Sequence, residues 1–219
     1  MDVTPPEQSS SLGADVPLPP GALPFFRIDN PRVRRFADLA LHRKDLDFAL
    51  RSLEFIGTQS KIDEHLREAL WRSAVVHYFK CFGHSAARFQ LQARQVYKDQ
   101  PPTALQAFEH FQNLRDKHYI HDENAFQQCT VAVAVGDGKK NCKVAAVIPF
   151  MVTVNVCTDE NVACMRQLIT CAIAWVDAES RKRETELRTH LETLSHEELT
   201  RHPGISVYVP GADDTGNRR

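Results

Sequence analysis

Along most of the chain, apolar residues recur at the three- and four-residue spacing of helices. From Val33 to Ile56, Leu39, Leu46, Phe48, Leu50, Leu53 and Phe55 fall among charged residues, which predicts one bent helix or two, ending at Gly57. Ser60-Lys61-Ile62-Asp63 then resembles a capping box, and the next helix should run through Leu66, Leu70, Trp71, Ala74, Val75, Tyr78 and Phe79 to Phe82 and stop at Gly83. Its apolar stripe is wide enough for a central core element. Pro101-Pro102 sets the following boundary, and Thr103-Ala104-Leu105-Gln106 offers another capping box. Leu105, Phe108, Phe111 and Leu114 carry that helix into Arg115-Asp116-Lys117-His118-Tyr119-Ile120-His121.

The period then changes. Thr130–Val135 and Val144–Val156 are two β-rich runs separated by Gly136-Asp137-Gly138-Lys139-Lys140-Asn141, so a hairpin spanning about residues 128–157 is expected. Thr158-Asp159-Glu160 opens a long final helix with a hydroxyl cap and two acids at the positive end of its dipole. Its first half is apolar. The second half is charged, with Leu187, Leu191 and Leu194 at a spacing that suits either a solvated face or a short dimerising stripe. A last turn is expected near Glu197–Arg201. The ends read differently. Residues 1–24 hold six prolines and few large apolar groups, and residues 204–219 are polar, so both are expected as loose tails around one helical domain at 25–203.

Composition narrows the function classes. A formal charge of −1 over 219 residues excludes nucleic-acid binding by bulk basic charge. A local surplus exists from Tyr78 to His121, where Lys80, Arg88, Arg94, Lys98, Arg115 and Lys117 face three acids, Asp99, Glu109 and Asp116. The first residues carry no charged start followed by an apolar run, and no uncharged apolar stretch approaches the roughly 18–20 residues needed to span a bilayer. A cytoplasmic chain with reduced thiols and no membrane partner is therefore expected. The six cysteines form no CxxC pair, and Cys157, Cys164 and Cys171, seven residues apart, are expected as packing residues on one helical stripe. Neither a GxxxxGK[ST] phosphate loop nor a GxSxG elbow occurs.

Candidate chemistry concentrates at Arg115-Asp116 and His121. Arginine offers a permanent charge and a fork of donors suited to phosphate oxygens, and histidine exchanges protons near neutral pH. His121 would take the proton of a 2′-hydroxyl or protonate a leaving oxygen, Arg115 would neutralise phosphoryl charge, and Asp116 would orient a neighbour. Spacing alone is not distinctive: Arg35 with His42, Arg72 with His77, and Arg183 with His190 are similar pairs, though only Arg115 is followed by Asp. On a regular helix six residues turn through about 240°, so the two could equally be a surface arginine and a histidine at a helix C-terminus. A metal set drawn from His110, His118, His121, Asp122 and Glu123 is the weaker alternative.

The pattern Arg-Asp-x4-His at a helix end resembles the motif of the HEPN superfamily. Residues Leu114–Asp122 are similar to the corresponding run of bacterial HEPN-like proteins linked to abortive phage infection, and Ala69–Phe82 is similar to an earlier helix of that group; together the likeness covers roughly residues 45–125. It implies a mainly α fold, a HEPN-like helical bundle, here with an inserted or appended β-hairpin and a long C-terminal helix. It further implies a homodimer whose motifs share a cleft, no cofactor, and metal-independent endoribonuclease activity in a toxin–antitoxin or phage-defence setting. Other members bind a nucleotide or protein partner without cutting. Carried over by position, Arg115, Asp116 and His121 are the catalytic residues, with Lys117, His118, Lys80 and Arg88 as RNA-binding candidates.

Overall fold

The computed structural model describes residues 23–59, 61–120, 126–136 and 143–205. It is mainly helical, with one two-stranded antiparallel sheet. In chain order the elements are α1 (Pro31–Thr58), α2 (Glu64–Lys80), α3 (Ala93–Val96), α4 (Pro102–Leu114), a π turn (Arg115–Ile120), β1 (Gln127–Val135), β2 (Val144–Thr153), α5 (Asp159–Leu191) and α6 (His196–Thr200). Residues 1–22, 206–219, Ser60, His121 and most of the hairpin loop lie outside the described residues, and the expectations for them end there. Among the described residues no helix is long and apolar enough to cross a membrane.

The chain divides into two compact units. The smaller comprises residues 23–40, Ser85–Phe89 and 179–205. Phe26 bridges Gly204, and the Arg27 N–H donates to the Pro203 carbonyl at 2.7 Å, tying the two ends of this unit together. Asn30 caps α1 by accepting from the Val33 N–H at 2.9 Å. The Arg35 guanidinium lies 3.8 Å from the Phe89 ring centre, and the Phe89 N–H donates to Asp38. Ser195 and Glu198 form a reciprocal capping box at the start of α6, so the expected last turn is present and begins at His196. Leu187 is buried, and with Leu191 it lines a groove shared with Phe36 and Leu199.

The larger unit, Leu41–His84 and Gln90–Ala178, holds the main core. The face of α1 that turns inward is Leu46, Ala49, Leu53 and Ile56; Phe48 and Phe55 fall off that stripe and are 43% and 46% exposed. Helix α2 starts later than the proposed capping box, because Asp63 itself is the cap, its carboxylate accepting from the Leu66 N–H at 3.0 Å. Trp71, Ala74, Val75, Tyr78 and Phe79 form its buried side, while Leu66 stays largely in water. The second proposed capping box is also corrected. Pro102 occupies the first turn of α4, Pro101 is the cap residue, and no side-chain cap bond forms, so Thr103 lies inside the helix. Helix α5 is capped as expected, the Asn161 N–H reaching the Thr158 hydroxyl at 3.3 Å. Cys157 precedes α5 and therefore does not share a helical stripe with Cys164 and Cys171.

An aromatic cluster joins α2, α3 and α4. Phe108 contacts Tyr78, Phe79, Phe82 and Tyr97 with ring centres 4.9–6.1 Å apart, distances suited to tilted and edge-on packing. The Tyr78 and Tyr97 hydroxyls bond each other, and Tyr97 donates to the Leu168 carbonyl of α5 at 3.1 Å. Burial pushes both phenols well above their ordinary range, since a phenolate there would lose its hydration. Replacing Tyr97 with Phe leaves the Leu168 carbonyl and the Tyr78 hydroxyl short of a partner. Tyr97→Phe is expected to lower unfolding free energy by about 1–3 kcal/mol in urea titrations. Folded phenols that resist ionisation should also make the wild type lose stability as pH rises above about 10, because the unfolded phenols release protons there first.

Candidate functional site

Helix α4 ends in an unusual way. After Leu114 the chain widens into a π turn over Arg115–Ile120, a form that is rare and concentrates at functional sites. The inward side of α4 is Phe108, Phe111 and Leu114, and His118, seven residues after Phe111 and four after Leu114, continues that side into the turn. His118 is 7% exposed, its ring 5.7 Å from Phe126 and 4.9 Å from Tyr119. The ring is therefore held in the interior rather than displayed at the surface, and its Nδ1 is buried.

Tyr119 anchors the turn. Its hydroxyl accepts the indole N–H of Trp71 at 2.6 Å, and its ring faces the Arg72 guanidinium at 4.9 Å. Trp71 is wholly buried and packs edge-on against Phe111, so the same side chain fixes α4 and the turn that follows it. Burial pushes the Tyr119 phenol well up, against the smaller opposing effect of the Trp71 bond. The sequence placed Trp71 on the apolar stripe of α2 and Tyr119 inside the Arg115–His121 segment, but carried no local signal that the two side chains meet.

Arg115 and Asp116 are brought together. The Arg115 Nε donates to the Asp116 carboxylate at 2.6 Å, and a second guanidinium nitrogen pairs with the same carboxylate. The guanidinium carbon also sits 5.1 Å from the centre of the Phe79 ring. Its side chain is 20% exposed, so the charge is held rather than free to sweep the surface. Lys117 points outward and lines a cleft of about 240 Å³ with His110, Asn113, Leu114 and Phe126. His110, Asn113, Leu114 and Lys117 follow one another at helical spacing, which gives this cleft a histidine, an amide and an ammonium on one face.

The remaining candidates are placed elsewhere. The Lys80 ammonium pairs with Asp45 of α1 at 3.1 Å, beside His77, whose Nδ1 is 3.0 Å from the same carboxylate. Arg88 belongs to the smaller unit, on the segment Ser85–Phe89. Of the alternative metal set, His121, Asp122 and Glu123 lie outside the described residues, and among the described residues no group of three or more His, Cys, Asp or Glu side chains is arranged to hold a metal ion. No family model, curated protein or solved structure matches the chain.

The Trp71–Tyr119 bond gives a direct test of how the turn is held. Tyr119→Phe strands a buried indole N–H and is expected to cost about 1–3 kcal/mol in urea unfolding. A double-mutant cycle with Trp71→Phe should recover much of that loss as coupling. Additive effects would show that the two side chains do not hold the turn together.

Proposed function

We propose that the segment beginning at Arg115 is the working site of a dimeric, HEPN-like, metal-independent endoribonuclease, with a toxin or phage-defence role. The observation that carries this reading is the π turn itself: a charged Arg-Asp pair sits on a rare backbone form, clamped by Trp71, Tyr119 and Phe79. Such clamping suits an arginine that must present its donors in one orientation to a phosphate. In the reaction, His121 removes the 2′-hydroxyl proton of RNA. The 2′-oxygen then attacks phosphorus, the bond to the 5′-oxygen breaks as that oxygen takes up a proton from the protonated histidine or from water to leave as a hydroxyl, and Arg115 neutralises the phosphoryl oxygens as charge accumulates. Asp116 holds the guanidinium in place, and Lys117 supplies a further cation for the backbone.

A second reading is favoured by one observation. The Arg115 charge is already met by Asp116 within the chain, an arrangement that serves architecture as well as catalysis. On that reading the chain is a non-catalytic helical dimer that binds a nucleotide or a protein partner, and the Arg115 segment is part of its framework.

Incubation with total RNA and tRNA in EDTA separates the two. The nuclease reading expects wild type to cut, and His121→Ala to cut about 10²–10⁴-fold more slowly with unchanged helicity and melting temperature. Arg115→Lys should also lose most activity, because an ammonium cannot reproduce the two-pronged contact. Intact RNA with wild type across these substrates would remove the nuclease reading and leave the second.

A further inference from the structure

The hairpin is the least explained part of the fold. Its strands, nine and ten residues long, contain no charged residue, and every residue is exposed except Ala132 and Ala146, which are half-buried. Val131, Val133, Val135, Val147, Ile148, Phe150, Met151 and Val152 are between 44% and 75% exposed. The register places these on both faces. Cys129, Val131 and Val133 share one with Met151, Pro149 and Val147, while Thr130, Ala132 and Ala134 share the other with Phe150, Ile148 and Ala146. A two-stranded hairpin alone is marginal in water, and three or more strands with an apolar face are needed for independent stability. A sheet with two apolar faces and no charge is the pattern of a buried one.

The hydrogen-bond phase identifies which edge is open. The Val154 N–H donates to the Phe126 carbonyl at 2.8 Å, which makes that pair a bonded one. Alternation along the register then puts Gln128 opposite Val152, Thr130 opposite Phe150 and Ala132 opposite Ile148 in bonded pairs, and Val131 opposite Pro149 in a non-bonded one. Pro149 therefore directs its nitrogen, which carries no hydrogen, to the outer edge of β2 and interrupts that edge. On β1 the outward N–H and C=O groups belong to Gln127, Cys129, Val131, Val133 and Val135, an unbroken row, and no third strand joins the sheet among the described residues.

We propose that the outer edge of β1 pairs with the same edge of a second copy of this chain, antiparallel about a two-fold axis at Val131, to form a four-stranded sheet. The edge is self-complementary. With the axis at Val131, Cys129 meets the partner's Val133 and Gln127 meets the partner's Val135, so every outward group finds its counterpart. No like charges meet, because neither strand has any. Only β1 lies at the seam, so the contact is one nine-residue strand a side and is held by backbone pairing rather than by the area of a standard interface. The inference rests on the dimeric state in the proposals above, not on RNA cleavage, and names its surface.

The test uses the full chain. Light scattering after size exclusion should give wild type about twice the 24.8 kDa chain mass. Val131→Pro removes only an outward donor, so the intrachain ladder keeps its bonds; it should give the mass of a single chain with unchanged helicity. Val131→Thr keeps the donor and should remain dimeric. Independently, Val133→Cys should form an interchain disulfide with the partner's Cys129 under mild oxidation, since directly opposed bonded residues lie about 5.5 Å apart between Cα atoms. Adding Cys129→Ser to that variant should abolish the disulfide. A wild-type monomer overturns both this inference and the dimeric state. A dimer that persists in folded Val131→Pro, or a Val133→Cys variant that forms no interchain disulfide through Cys129, overturns this surface alone. If Val131→Pro fails to fold, the cross-link decides.

Discussion

Trp71, Tyr78 and Phe79 lie along one side of α2 with none of their surface in water, and the Arg115 segment depends on that burial. Each such side chain contributes on the order of 2–3 kcal/mol by leaving water, but here they also set positions. Tyr78 fixes the tyrosine that ends α3 and, through it, the carbonyl of Leu168 on α5. Phe79 packs on Phe108 and lies under the Arg115 guanidinium. Trp71 packs on Phe111 and donates to Tyr119. One helix face thus carries the main core on one part and the candidate site on the other.

The π turn converts that packing into a presentation of charge. Across the wider turn His118 stays on the buried side and Tyr119 meets Trp71, while Arg115 and Asp116 form a bonded, partly exposed pair. A held ion pair of this kind adds little to stability by itself at partial exposure. Its consequence is orientation, which is what a phosphate-directed arginine requires and what a structural arginine also shows.

The hairpin obeys a different constraint. Nothing in its own two strands can cover apolar residues on both faces, so its exposed valines, Phe150 and Met151 call for a surface from outside the described chain. The Pro149 nitrogen closes one edge to pairing and leaves the other complete. Edge chemistry, rather than hydrophobicity alone, therefore selects where a second strand can add.

Much of this was legible in the residues. The 3.6-residue period located α1, α2, α4 and α5 to within a few positions, the alternating runs located both strands, and Thr158 marked the start of α5, because these signals are local and act over a turn or two. Local signals misassigned the caps at Asp63 and Pro101, where several neighbouring residues could each have satisfied the first free amides. They also grouped the exposed Phe48 and Phe55 with the buried Leu46 and Leu53, since a stripe read without its partner helices does not show which side turns inward. Of the candidate site, the sequence by itself determined which groups stand next to one another: Arg115 beside Asp116, at the end of an apolar helix. Only the tertiary structure decided that the helix ends in a π turn and that Trp71 from α2 holds Tyr119. Those outcomes depend on contacts between segments some 40–50 residues apart, and a backbone form as costly as a π turn persists only where such contacts overrule the local preference for an α-helix.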